Sequence, residues 1–178
     1  MTFRTVLLVL PMLAACTDSM SSADASGDTG ATAAPVIRAT LRDASGAEKG
    51  SASVTSRGTT MTVQVTATNM SAGTKGLHIH ETGKCEGPKF TSAGAHWNPG
   101  AKQHGRDNPA GAHMGDMPNI EIAAGGTGTV SFTLQGTPTM LTEGAGKAIV
   151  IHAAADDYRS DPTGNSGDRI ACGVFGTG

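Results

Sequence analysis

From Thr60 to Thr68 the chain reads T-M-T-V-Q-V-T-A-T, and this alternation limits the available folds more than any other feature. Successive side chains of an extended strand point to opposite faces, so Met61, Val63, Val65 and Ala67 share one side and the Thr and Gln residues the other. Val130, Phe132 and Leu134 alternate in the same way with Ser131 and Thr133, as do Ile37, Ala39 and Leu41 with Arg38, Thr40 and Arg42. Weaker strands are expected near Ser51–Ser56, Asn119–Ala123, Lys147–His152 and Ile170–Val174, and no long helical pattern competes with them. The 25 Gly and 8 Pro residues place turn signals between these runs. The expected fold is all-β, an antiparallel sandwich or barrel.

At 178 residues the chain is one domain long. Its net charge of -2 argues against nucleic acid or an anionic membrane surface as an electrostatic partner. The first 15 residues read as an export signal: Arg4, then an apolar run from Val6 to Leu13 too short to span a bilayer. The segment closes on Leu13-Ala14-Ala15-Cys16, similar to the lipobox of bacterial lipoproteins, which predicts lipidation of Cys16 and a membrane anchor facing the periplasm. A conventional cut after Ala15 is the alternative, and it would leave a free thiol in an oxidising compartment. Residues 16–35 are mostly Ser, Ala, Thr, Gly and Asp and read as a flexible tether. One basic and three acidic residues precede Val36, so the domain over 36–178 carries 12 of each.

Beyond Cys16 two cysteines remain, Cys85 and Cys172. An even pair in an exported domain reads as one disulfide, although soft metal ligands are also conceivable. All six histidines (His78, His80, His96, His104, His113, His152) lie in segments that suit metal binding. In Leu77-His78-Ile79-His80 the apolar residues take one face and both imidazoles the other. Ile149 and Ile151 likewise oppose His152, which shares its face with Val150. With Leu77 and the isoleucines in the core, these three histidines should line the outer wall of the barrel beneath a roof of loops. The stretch from Cys85 to Pro118 is too long and too rich in Gly and Pro for a connecting turn. It carries His96, His104, His113 and Asp116, and three imidazoles with a carboxylate suit tetrahedral zinc.

Five segments in order resemble the copper–zinc superoxide dismutase family, of the bacterial exported kind. They are Gly76-Leu77-His78-Ile79-His80-Glu81, Gly94-Ala95-His96-Trp97-Asn98-Pro99, His104 with His113-x-x-Asp116, Ile151-His152 with Asp156, and Asp168-Arg169-Ile170-Ala171-Cys172-Gly173. The resemblance implies an eight-stranded Greek-key β-barrel or sandwich with long metal-binding and electrostatic loops. It implies copper at His78, His80, His96 and His152, and zinc at His96, His104, His113 and Asp116, with His96 bridging the two ions. Arg169 would guide superoxide, His96 would carry a proton during turnover, and Asp156 would link ligands of the two metals. Cys85 and Cys172 match the family's disulfide. The implied reaction turns two superoxide anions and two protons into dioxygen and hydrogen peroxide. A non-catalytic exported copper/zinc-binding protein is the rival reading, and monomer or homodimer stays open because Trp97 suits either core or interface. Arg159, Lys84 and Lys89 are candidates for steering the anion. The nearby Asp157, Asp161 and Asp168 argue for an ordinary solvated face, so none of these six receives a role.

Overall fold

A computed structural model describes Met1, Thr2 and residues 37–177. The export signal, Cys16 and the tether fall almost wholly outside the described residues. Ten strands follow in order: β1 (Ile37–Arg42), β2 (Glu48–Arg57), β3 (Thr60–Ala67), β4 (Gly73–Lys75), β5 (Leu77–His80), β6 (Ile120–Ile122), β7 (Gly128–Gln135), β8 (Ala148–His152), β9 (Arg169–Val174) and β10 (Gly176–Thr177). Among the described residues there is no α-helix, only two short 3₁₀ turns at Thr91–Ala93 and Pro138–Leu141.

The main sheet is antiparallel and runs β5-β8-β9-β1-β2-β3-β7, while β4 pairs with β6. Gly76 alone separates β4 from β5, and β10 resumes after Phe175 on β1, so ten segments make the eight expected staves. With β6 lying against β7, the staves curl around one core. Gly76 marks a real crossing point. Its N–H donates to Ala154 O at 2.7 Å, and a Cβ there would meet the Ser166 Cβ at 2.7 Å. Pairing of β3 with β7 rather than β4 is the over-and-across step of a Greek key.

The alternation predicts the core correctly. Met61, Val63, Val65 and Ala67 are all fully buried, as are Leu77, Ile79, Ile149 and Ile151. Each such aliphatic side chain contributes about 1.5–3 kcal/mol of transfer free energy. The weaker strands are found within a few residues of their expected ends, whereas the short β4 and β10 carry no pattern long enough to read. A second, smaller cluster lies outside the barrel: Ala148, Val150 and Cys172 on the reverse face of β8 and β9, covered by Phe90 and Ala93. Cys85 and Cys172 form a disulfide that pins the covering loop to β9.

Candidate metal centre

The wall of the barrel has two dry sides. On β5, Leu77 and Ile79 enter the core while His78 and His80, equally buried, face outward. The segment from Cys85 to Pro118 lies along the free edge of β5. Trp97 N–H donates to Ile79 O at 2.8 Å, Ile79 N–H to Gly115 O at 2.9 Å, and Met117 N–H to Leu77 O at 3.2 Å. Only glycine can sit at 115, because a Cβ there would lie 2.2 Å from Ile79 O. This edge contact carries His96 opposite His80 and Asp116 opposite His78.

The histidines fall into two groups that share one ring. Donor atoms of His78, His80, His96 and His152 all lie within 4.8 Å of one another. His80 Nδ1–H donates to Gly94 O at 3.0 Å and His152 Nδ1–H to Gly167 O at 3.1 Å, which fixes both tautomers and leaves each Nε2 without a proton. His78 bonds through Nε2 to Asp156 Oδ2 at 2.7 Å. The remaining atoms, His78 Nδ1 and the Nε2 atoms of His80, His96 and His152, are buried with no protein partner. Buried polar atoms are almost always paired, so four orphaned imidazole nitrogens converging on one point fit a metal ion. They form the all-imidazole set that suits copper.

In the second group the Nδ1 atoms of His96, His104 and His113 lie 3.1, 3.0 and 3.2 Å from one oxygen, Asp116 Oδ1. A tetrahedral zinc site with bonds of about 2.0 Å has edges of about 3.3 Å, and the three edges that meet at Asp116 Oδ1 match it. His78 also comes within 4.8 Å of atoms from His96, His104 and Asp116. Its Nε2 is held by Asp156 and its Nδ1 belongs to the first set, while His113 reaches the second set through its 3.2 Å approach to Asp116 Oδ1. The other oxygen of Asp116 accepts N–H groups from Gly105 at 2.9 Å and His113 at 3.0 Å.

The electrostatics of the two groups are opposite. Burial pushes His80 down to about 2, His152 to about 3 and His96 to about 4, and it lowers His78 as well, so all four rings are neutral at ordinary pH. Burial also opposes charge on His104. There the hydrogen bonds and negative charges of Asp116 and Asp156 outweigh it and lift the ring to about 9. Burial would raise both carboxylates, but hydrogen bonds from His104 and its neighbours hold them well below the usual range.

Asp156 joins the halves, since Oδ1 is 3.1 Å from His104 Nε2 and Oδ2 holds His78. Asn119, expected only as a strand residue, clamps Asp156 from behind. It donates to Asp156 O and accepts from Asp156 N–H, both at 2.9 Å. Its position three residues after Asp116 was the only sequence signal available. At the other rim, Arg169 opens β9 and donates to Phe90 O at 2.7 Å and Gly94 O at 2.8 Å. Burial lowers its pKa, yet a guanidinium stays charged. Lys89 lines a cleft of about 450 Å³ beside Arg169, together with Asp43 and Asp168. Arg159 lies apart from that cleft, 4.0 Å from Asp107.

The family profile described as copper/zinc superoxide dismutase (SODC) matches residues 48–175. A Cu-Zn superoxide dismutase of Deinococcus radiodurans is 39% identical over 186 residues, covering 97% of both chains. One from Aquifex aeolicus is 51% identical over 104 residues, 55% of this chain and 62% of the relative. A superoxide dismutase-like protein of Bacillus subtilis is 41% identical over 122 residues. The chain thus spans less than two thirds of the length of the Aquifex and Bacillus relatives, at 62% and 61%. The crystal structure of a SOD-like protein from Bacillus subtilis superposes with a TM-score of 0.72 at 35% identity, covering 77% of this chain and 96% of that one.

Proposed function

The chain belongs to the copper/zinc superoxide dismutase family, and from that premise we propose that it dismutates superoxide outside the cytoplasm. Two superoxide anions and two protons give dioxygen and hydrogen peroxide. The observation that carries this reading is the orientation of His96. Its Nε2 joins the orphaned nitrogens of His78, His80 and His152, while its Nδ1 lies 3.1 Å from Asp116 Oδ1.

Copper bound by His78, His80, His96 and His152 would supply one-electron redox chemistry, and zinc bound by His96, His104, His113 and Asp116 would supply fixed charge without redox chemistry. The residues supply the rest. Arg169 presents a permanent positive charge beside the first group, where a small anion must approach. His96 can hold a proton at Nε2, within reach of the product that needs one. Asp156 takes the outer N–H groups of His78 and His104 and keeps both rings aimed inward.

Export and lipid anchoring at Cys16 belong to the same proposal, supported by the Leu13-Ala14-Ala15-Cys16 motif. The mass of the mature N-terminus tests it, with a diacylated Cys16 expected and an unmodified one against it. For the activity, metal content per chain is measured with superoxide consumption, before and after a copper chelator. One copper, one zinc and chelator-sensitive consumption are expected. Bound metals without consumption would favour the rival reading of a non-catalytic copper/zinc-binding protein. His96→Ala should abolish any spectroscopic coupling between the two metals.

A further inference from the structure

We propose that Asp161 is a positioning residue that sets the zinc affinity of the second group by holding His104 and His113 together from outside. This rests on the zinc reading of that group. One carboxylate oxygen of Asp161 accepts the backbone N–H of His104 at 2.5 Å and lies 3.9 Å from His113 Nε2. Asp161 therefore stands behind both histidines that belong to the second group alone. With Nδ1 of His113 turned toward Asp116, its Nε2 faces Asp161 Oδ1 across 3.9 Å, a through-space approach longer than a hydrogen bond. Rings that bind a metal commonly give their other N–H to such an outer carboxylate.

The loop carrying Asp161 is built to present it. Asp157 Oδ1 accepts N–H groups from Arg159 and Ser160, each at 2.8 Å, and its Oδ2 accepts from Ser160 Oγ at 2.6 Å and Asn165 Nδ2 at 2.9 Å. Gly164 N–H closes the turn onto Ser160 O at 2.6 Å. A separate backbone bond, from Asp107 N–H to Tyr158 O at 3.0 Å, ties this loop to the metal-binding segment. Asp156 and Asp161 thus reach the second group from one loop, Asp156 by a hydrogen bond to the His104 ring and Asp161 by a hydrogen bond to the His104 backbone and by its charge near the His113 ring.

The test is competition of the full chain against a chromogenic chelator for Zn²⁺, repeated with Cu²⁺. Asp161→Ala should weaken zinc binding about ten- to a hundredfold and leave copper affinity unchanged. Asp161→Asn keeps an oxygen for the His104 N–H but lacks the charge, so a smaller loss is expected; it also serves if Asp161→Ala does not fold. Arg159→Ala, on the same loop, should bind zinc normally. Wild-type zinc affinity in both Asp161 variants overturns the role of Asp161 alone. A wild-type chain that takes up no zinc overturns the metal reading, and this role with it.

Discussion

His78, His80 and His152 stand on β5 and β8, strands whose opposite faces fill the barrel core, whereas His104, His113 and Asp116 stand on a loop. The first three are placed by packing that exists for its own sake. Moving them would mean pulling Leu77, Ile79 or Ile151 out of a dry interior. The loop-borne set has no such backing and is organised by carboxylates instead: Asp116 at its centre, with Asp156 behind it. One half is neutral and preformed by the fold. The other is charged and held by its own ligands. His96 belongs to both, and Asp156 is the brace between them.

The harshest way to break this contrast is Asp116→Ala. It removes the oxygen at the centre of three Nδ1 atoms and the acceptor for Gly105 and His113. Zinc affinity should fall more than about a hundredfold, beyond the range for outer partners, while copper affinity changes by less than about tenfold. Competition titrations measure both, and an equal fall in the two would mean the halves are not separate. Next in size is Arg169→Ala, which should lower superoxide consumption severalfold with both metals retained. An unchanged rate would remove its guiding role.

Protons give a subtler test. His104 is raised to about 9 in the metal-free protein, so adding zinc alone at pH 7 should release about one proton, a yield that fades as pH rises through 9. Copper alone should release almost none, because His80 and His152 are already neutral. Calorimetry in buffers of different ionisation enthalpy counts those protons. Stability of the metal-free protein follows the same logic. Between 6.5 and about 9 the folded state holds a proton on His104 that the unfolded chain has lost, so stability declines as pH rises. Below 6.5 the unfolded chain binds protons that His80, His96 and His152 refuse, so stability declines as pH falls. Denaturant melts of the metal-free protein should therefore peak near pH 6.5. Smallest of all, Arg159→Ala breaks an exposed pair at 4.0 Å and should shift stability by no more than about 0.5 kcal/mol in the same melts.

The strand-borne half was the legible one. Period two in Leu77-His78-Ile79-His80 states both the core face and the ligand face, and Val150 turns up in the outer cluster as its alternation with Ile149 and Ile151 required. The loop-borne half could be named only through residue types and family resemblance, because no local period tells how a loop folds back. Asn119 was hidden for that reason: its clamp on Asp156 spans 37 residues and depends on two loops meeting. Asp161 was read as part of a solvated face. It is exposed, and its approaches to His104 and His113 are tertiary.

Gly94 O accepts from both His80 Nδ1 and Arg169 Nη2. In a machined part, two holes dimensioned from one datum keep their spacing even when the datum drifts. A single peptide oxygen is that datum here. With His80 fixed by its packed strand, the shared oxygen ties both the disulfide-pinned loop and the guanidinium to that ring, so one peptide group sets the spacing of the cation from the imidazole cluster.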